Sequence, residues 1–265
     1  MKFVIDHDLH LHSHLSACSG IPEQTTESFL VHAAKNRLKR LCVTDHFWDE
    51  LVPGESDWYR PQNYAHICED LPLPKSEGID LHFGCETEMD KFFTVGISKE
   101  RIDLFDFIII PTNHLHMNGF TVSTEDNTVE ARARVFMEKN HALLDKDLPF
   151  EKIGLAHFTC GLMNKHSDGT RDQIMDCISD SDYAEFYKRA AEKGIGIELN
   201  MYVPDTKNES VLRPYRIAKK CGCKFYLGSD SHRPSELDGA MARFEAIVDA
   251  LDLTEDDKFI PSSMK

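Results

Sequence analysis

Short apolar runs separated by amphipathic segments recur seven times along this chain, and six of the seven stop at a histidine or an acid. The first run, Phe3-Val4-Ile5, leads into Asp8-Leu9-His10-Leu11-His12-Ser13. The others cover 40–44, 79–85, 107–110, 152–156, 195–200 and 224–228. Apolar residues at helical spacing fill most of the intervals, and the pattern predicts helices near 26–38, 128–145, 181–193, 210–221 and 237–251. The run 107–110 is wholly apolar, as a strand covered on both faces must be. Strands alternating with helices predict parallel βα units. Closed into a ring, seven such units make an α/β barrel of (β/α)7 type, one unit short of the eight-stranded form. The segment 48–78, with Pro53, Pro61, Pro72 and Pro74, reads as a long loop carrying a short helix near 63–70. No repeat, low-complexity stretch or linker divides the chain, so a single domain over 1–265 is expected.

In a parallel barrel the chemistry collects at the C-terminal ends of the strands. Those ends here carry His10 and His12, His46, Glu86, His114, His157, and Asp230 with His232. One histidine beside a strand has little meaning in a chain with 14 of them, but ligand types at nearly every strand end point to a metal site. Alternation along a strand places His10 and His12 on one face. The same parity puts Asp8 behind them, where a carboxylate could orient a ring nitrogen. Imidazole and carboxylate donors suit Zn, Mn or Fe.

The formal charge of −15 excludes a long duplex nucleic acid as the main partner, because neutralising phosphates takes clustered Lys and Arg. A small phosphorylated substrate remains compatible, since divalent ions reverse the local sign of a carboxylate-rich site. No apolar leader and no stretch approaching a membrane span is visible, and the eight scattered cysteines read as reduced thiols, so a cytoplasmic location is expected.

The motifs His10-Leu11-His12, Thr44-Asp45-His46, Gly84-Cys85-Glu86 and Gly228-Ser229-Asp230-Ser231-His232, in this order and spacing, resemble those of the PHP family, named for polymerase and histidinol phosphatase. The resemblance spans essentially the whole chain. It implies a distorted seven-stranded barrel, two or three divalent metal ions, and hydrolysis of a phosphoester by a metal-bridging hydroxide. It carries ligand roles onto His10, His12, His46, Glu86, His114, His157, Asp230 and His232. Glu86 becomes the bridging carboxylate, and Asp230 and His232 are further candidates to assist the leaving alkoxide. Many members place another histidine in the loop after the first motif; here that loop offers His14 and Cys18.

Phosphate-binding groups are expected at the same rim, and Lys165, His166, Arg171, Asn200, Arg213 and Arg233 follow the later strands. The stand-alone length favours a phosphomonoesterase similar to the histidinol phosphatases of the family, with L-histidinol phosphate as first substrate and histidine biosynthesis as the implied setting. Three alternatives stand beside it: a phosphodiesterase on nucleotides or short oligonucleotides, an amidohydrolase, and a metal-binding regulatory domain without activity. The amidohydrolase would call for an eighth strand and a strand-end lysine. The regulatory domain would have lost several ligands.

Overall fold

A computed structural model describes residues 1–163, 170–200 and 206–265, and in it six of the seven runs become strands of a parallel ring. The strands are β1 (His7–Leu11), β2 (Arg40–Val43), β3 (His46–Phe47), β4 (Asp80–Thr87), β5 (Phe107–Ile110), β6 (Ile153–Leu155), β7 (Gly196–Asn200) and β8 (Lys224–Gly228). Their spatial order is β1-β2-β4-β5-β6-β7-β8, with β3 pairing on β4 beyond β2. β2 and β3 are thus two pieces of one strand unit, broken at Thr44-Asp45. Seven units make the barrel, as the run pattern predicts.

The helices are α1 (Thr26–Asn36), α2 (Tyr64–Ile67), α3 (Lys99–Ile102), α4 (Val129–Leu144), α5 (Thr170–Cys177), α6 (Asp180–Lys193), α7 (Glu209–Lys220), α8 (Pro234–Leu237) and α9 (Ala240–Ala250). Side-chain caps mark several starts: Thr25 accepts from Ser28 N, and Ser179 with Asp182 forms a capping box. The helix expected over 237–251 divides at Asp238-Gly239 into α8 and α9. Among the described residues no helix is long and apolar enough to cross a membrane.

The first strand lies further along than the apolar run suggests. Phe3 is buried but Val4 is exposed, and Phe3 N donates to Leu253 O, so this run packs on the C-terminal part of the chain outside the sheet. β1 instead begins at His7 and closes the ring against β8 in two ways. At its upper end the closure is backbone pairing: His12 N donates to Ser231 O at 3.1 Å and Asp230 N to His10 O at 2.8 Å. Lower down, side chains substitute for the ladder. Leu227 N donates to His7 Nε2 at 3.0 Å and Ser229 N to Asp8 Oδ1 at 2.8 Å. This side-chain seam is the distortion in the barrel.

Below the strand ends the ring is filled. Leu9, Cys42, Phe107, Ile109, Ala156 and Tyr226 form one buried cluster, into which Phe259 and Met264 of the C-terminal segment insert. Above them α4 holds the loops that follow β4 and β5, using buried cations as well as apolar packing. Arg132 donates to Leu115 O and to Met163 O, and Lys139 Nζ donates to Met89 O at 2.6 Å and Thr121 O at 3.3 Å.

Burial of Lys139 pushes its ammonium down from 10.5 to about 8, partly opposed by Glu88 and Asp90. Below about pH 8 folded and unfolded chains both carry the proton and the full cost is present, on the order of 3 kcal/mol. Between about 8 and 10.5 only the unfolded chain keeps the proton, so this group's cost falls as pH rises. The melting-temperature advantage of the native protein over Lys139→Met is therefore expected to be larger at pH 9.5 than at pH 7. An advantage independent of pH would show that Lys139 does not titrate in this way.

Candidate metal centre

The eight side chains singled out at the strand ends converge. Donor atoms of His10, His12, Glu86 and Asp230 all lie within 4.8 Å of one another, as do those of Glu86, His114 and His157. A third group, at the same limit, joins His12, His46 and His232 to Cys18. Glu86 and His12 are each shared by two groups. Within them His12 Nε2 is 3.3 Å from Glu86 Oε2 and 3.0 Å from Asp230 Oδ1, while His157 Nε2 is 3.1 Å from Glu86 Oε1. His10, His12, Glu86, His114 and His157 are buried, and His232 opens to the cavity above.

Four of the imidazoles are built alike. Each has its Nδ1 tied to an acceptor, which leaves Nε2 as the atom offered to the donor groups. For His10 the acceptor is Glu198 Oε1 at 2.6 Å, and for His114 it is Glu88 Oε2 at 2.7 Å. For His157 it is Asn113 Oδ1 at 3.1 Å, and for His232 the carbonyl of Asp230 at 2.8 Å. His12 Nδ1 lies 2.9 Å from Ser16 Oγ, which itself donates to Asp45 Oδ1. A donating Nδ1 fixes the tautomer and presents the Nε2 lone pair, as a metal ligand requires. His46 is the exception: its Nδ1 faces Glu86 Oε2 at 2.9 Å without hydrogen-bond alignment.

The residues fit a cation. His46 Nδ1, Glu86 Oε2 and His114 Nε2 are buried with no hydrogen-bond partner, and all three belong to the donor groups. Burial alone would push the Glu86 carboxyl up, yet the imidazoles of His46 and His10 hold it well below the usual carboxylate range. Burial likewise disfavours a charged His10, but Glu198, Asp230 and Glu86 together raise it well above the ordinary value. The Cys18 thiol, also penalised by burial, is drawn down to about 5 by His46 and His232. Carboxylate and thiolate charge concentrated among imidazoles, whose protons a cation would replace, is a donor set for divalent ions.

Two backbone features shape the ends of the strands. His157 and Asp230 both have positive φ, 21° and 53°, where side chains other than glycine are uncommon. Such conformations persist where surrounding contacts impose them, here the pairing of Asp230 N with His10 O. Gly228 meets a different demand: a Cβ there would overlap a Glu198 carboxylate oxygen and come within 2.7 Å of the His10 Cβ.

One sequence expectation needs correction here. Asp8 does not orient a histidine; it accepts from the amides of Ser229 and His10. The pairing of β1 with β2 slips by one residue between Asp8 and Leu11, a bulge that ends the parity counted from Asp8. Glu198, on the one strand whose end offered no ligand, takes the orienting role instead. His14 lies outside the donor groups, 3.8 Å from Asp70 Oδ2, and Cys18 comes to the centre.

The expected phosphate-binding residues are scattered. Lys165 and His166 fall outside the described residues. Arg171 pairs with Asp172. Arg213 is spent on the carbonyls of Ile178 and Met175 and on Asp180. Arg233 is exposed at the start of α8, and Asn200 lies buried beside Glu198. None of these four lines the cavity over the centre, which measures about 540 Å³. Its wall includes Trp58, Tyr59, His116, Met117, Phe120 and Leu162, and no lysine or arginine among the described residues. Burial lowers His116 to about 4, so its imidazole is neutral.

Two known proteins resemble this chain. A curated protein of Caldicellulosiruptor bescii named "Probable phosphatase" is 24% identical over 237 residues, covering 87% of this chain and 82% of its own. The histidinol phosphate phosphatase of Lactococcus lactis, solved with zinc, L-histidinol and phosphate, superposes with a TM-score of 0.57 at 19% identity, over 91% of this chain and 93% of that one. No family model matches the chain. The structural likeness shows a common fold, the distorted barrel that the strand-end motifs imply.

Glu198→Gln keeps the shape of the side chain and removes the charge that holds His10. It is expected to weaken metal affinity roughly 10- to 100-fold, read by competition with a chromogenic chelator. Gly228→Ala, which intrudes on the same contact, should move affinity in the same direction. Unchanged affinity in Glu198→Gln would remove the orienting role.

Proposed function

We propose that this chain, as a single barrel unit, is a metal-dependent phosphomonoesterase acting on a small phosphorylated substrate, with L-histidinol phosphate the first compound to test. The observation that carries the reading is the set of three donor groups sharing Glu86 and His12 at the floor of one cavity. The names of the Caldicellulosiruptor relative and the Lactococcus structure support the choice of phosphate esters.

His10, His12, Glu86 and Asp230 would hold one ion, and Glu86, His114 and His157 another. Bound there, two or three divalent ions such as Zn, Mn or Fe lower the pKa of water and neutralise charge on phosphoryl oxygens. The chain's own residues perform the remaining tasks. Glu198, Glu88 and Asn113 keep the imidazoles in the tautomer that leaves Nε2 free. Asp230 and His232 line the cavity; the Asp230 carboxylate can accept a hydrogen bond from the water that protonates the leaving alkoxide, and His232 adds its imidazole to the third group. His116 donates from Nδ1 to Leu162 O at 3.3 Å, so its Nε2 can accept from a hydroxyl or amine of the organic group. Trp58, Tyr59 and Phe120 offer aromatic faces to a flat or apolar moiety and keep water from the reacting phosphate. With no cation on the described wall, phosphate recognition falls to the centre itself.

Protein loaded with Mn or Zn is expected to release phosphate from L-histidinol phosphate and to leave a generic phosphodiester intact. Hydrolysis of the diester alone would redirect the assignment to nucleotide processing, and no turnover of either by metal-loaded protein would refute the proposed substrate. Glu86→Ala and His157→Ala should each lose metal and all hydrolysis; full activity in both would sink their ligand roles. Trp58→Ala is expected to raise KM several-fold with kcat nearly unchanged, because a wall contact acts on binding more than on the chemical step.

A further inference from the structure

We propose that Cys18, with His46 and His232, makes a third metal position whose thiolate donor selects zinc over manganese and so sets it apart from the two positions that share Glu86. The inference rests on the metal-centre reading above and not on the choice of substrate.

Cys18 reaches the centre from the loop between β1 and α1, and that loop is held on both sides of it. Ala17 N donates to Gln62 Oε1 at 3.0 Å, and Ser19 Oγ donates to the carbonyl of His232 at 2.8 Å. Ser19 N and Gly20 N both donate to Ser16 O, closing a turn around residue 18. The second of these fixtures ties the thiol's loop directly to the strand end that carries His232. The sulfur and the donor nitrogens of His12, His46 and His232 lie within 4.8 Å of one another. His12 Nε2 is 3.0 Å from Asp230 Oδ1 in the first group, so Cys18, His46 and His232 remain as three protein ligands, with His46 Nδ1 also 2.9 Å from Glu86 Oε2. His46 adds an independent sign of a ligand: it is 7% exposed and its Nδ1 has no hydrogen-bond partner.

The donor set decides the ion. The two Glu86 positions offer imidazole and carboxylate, which accept Mn, Fe or Zn. One thiolate with two imidazoles is a softer set, suited to Zn and poorly suited to Mn. Three protein donors leave a tetrahedral ion one open position, and Cys18, His46 and His232 all line the cavity, so that position faces the substrate space.

The test uses the full-length protein without substrate. Cobalt-loaded protein is expected to show a near-ultraviolet thiolate-to-cobalt charge-transfer band. After zinc-loaded protein is equilibrated with manganese in large excess, elemental analysis should find one zinc per chain retained while the positions that share Glu86 exchange. Cys18→Ser should lose the band and that one equivalent. Cys18→His should lose the band and retain the metal count. Cys160→Ser, which alters the thiol near Asn113 outside the three donor groups, should keep both. Absence of the band in the native protein, or its survival in Cys18→Ser, would overturn the proposal. The two readings fail separately: an active phosphatase without the band sinks only the thiolate site, and a protein with the band but no esterase activity sinks only the substrate assignment.

Discussion

Glu86 is 1% exposed, and a carboxylate so deeply buried is tolerable only among compensating groups. The structure supplies them from almost every direction: His10 and His12 from β1, His46 from β3 and His157 from the end of β6. Three of these imidazoles, all but His46, are in turn held from behind. Much of the remaining architecture serves this requirement. The strands converge on one point, and the plug of Phe107, Tyr226 and Phe259 closes the ring beneath it.

The side-chain seam between β1 and β8 belongs to the same logic. Had β1 continued as a regular strand, backbone pairing would have run along both neighbours and parity would have placed Asp8 beneath His10. The bulge breaks that parity, and Asp8 and His7 become acceptors for the amides of Ser229 and Leu227. Gly228 then allows β8 close enough for Glu198 to reach His10. A bulge, a glycine and a buried acid on three adjacent strands thus set the position of one imidazole.

The parts of this design legible in the sequence are those with a local signal. Strand runs ending in His, Glu or Asp repeat often enough to mark the convergent set, and turn and cap residues mark most helices. Glu198 carried a weaker signal, a single acid inside Ile195-Gly196-Ile197-Glu198-Leu199. Its meaning depends on a histidine 188 positions away. Asp8 was misplaced because a bulge is not visible in alternation. Arg213 shows a related limit: closeness in sequence to a strand end says nothing about competing acceptors, and Arg213 finds three of them, the carbonyls of Ile178 and Met175 and the carboxylate of Asp180. Between His14 and Cys18, the choice depends on the turn closed on Ser16 O, which carries residue 18 toward the β8 end.

The charge of the molecule fits the same picture. A protein with a formal charge of −15 repels a phosphate ester at long range, and the described cavity wall offers no lysine or arginine to counter that. On the proposed function, attraction comes from the centre, where divalent ions on the clustered donors would reverse the local sign. Recognition is then divided by chemistry. The phosphoryl group of the proposed substrate would be drawn to the floor of the cavity, and its organic group sorted by aromatic faces and the neutral imidazole of His116. In such a site the metal content governs whether phosphate binds at all, and the wall governs which ester is carried with it.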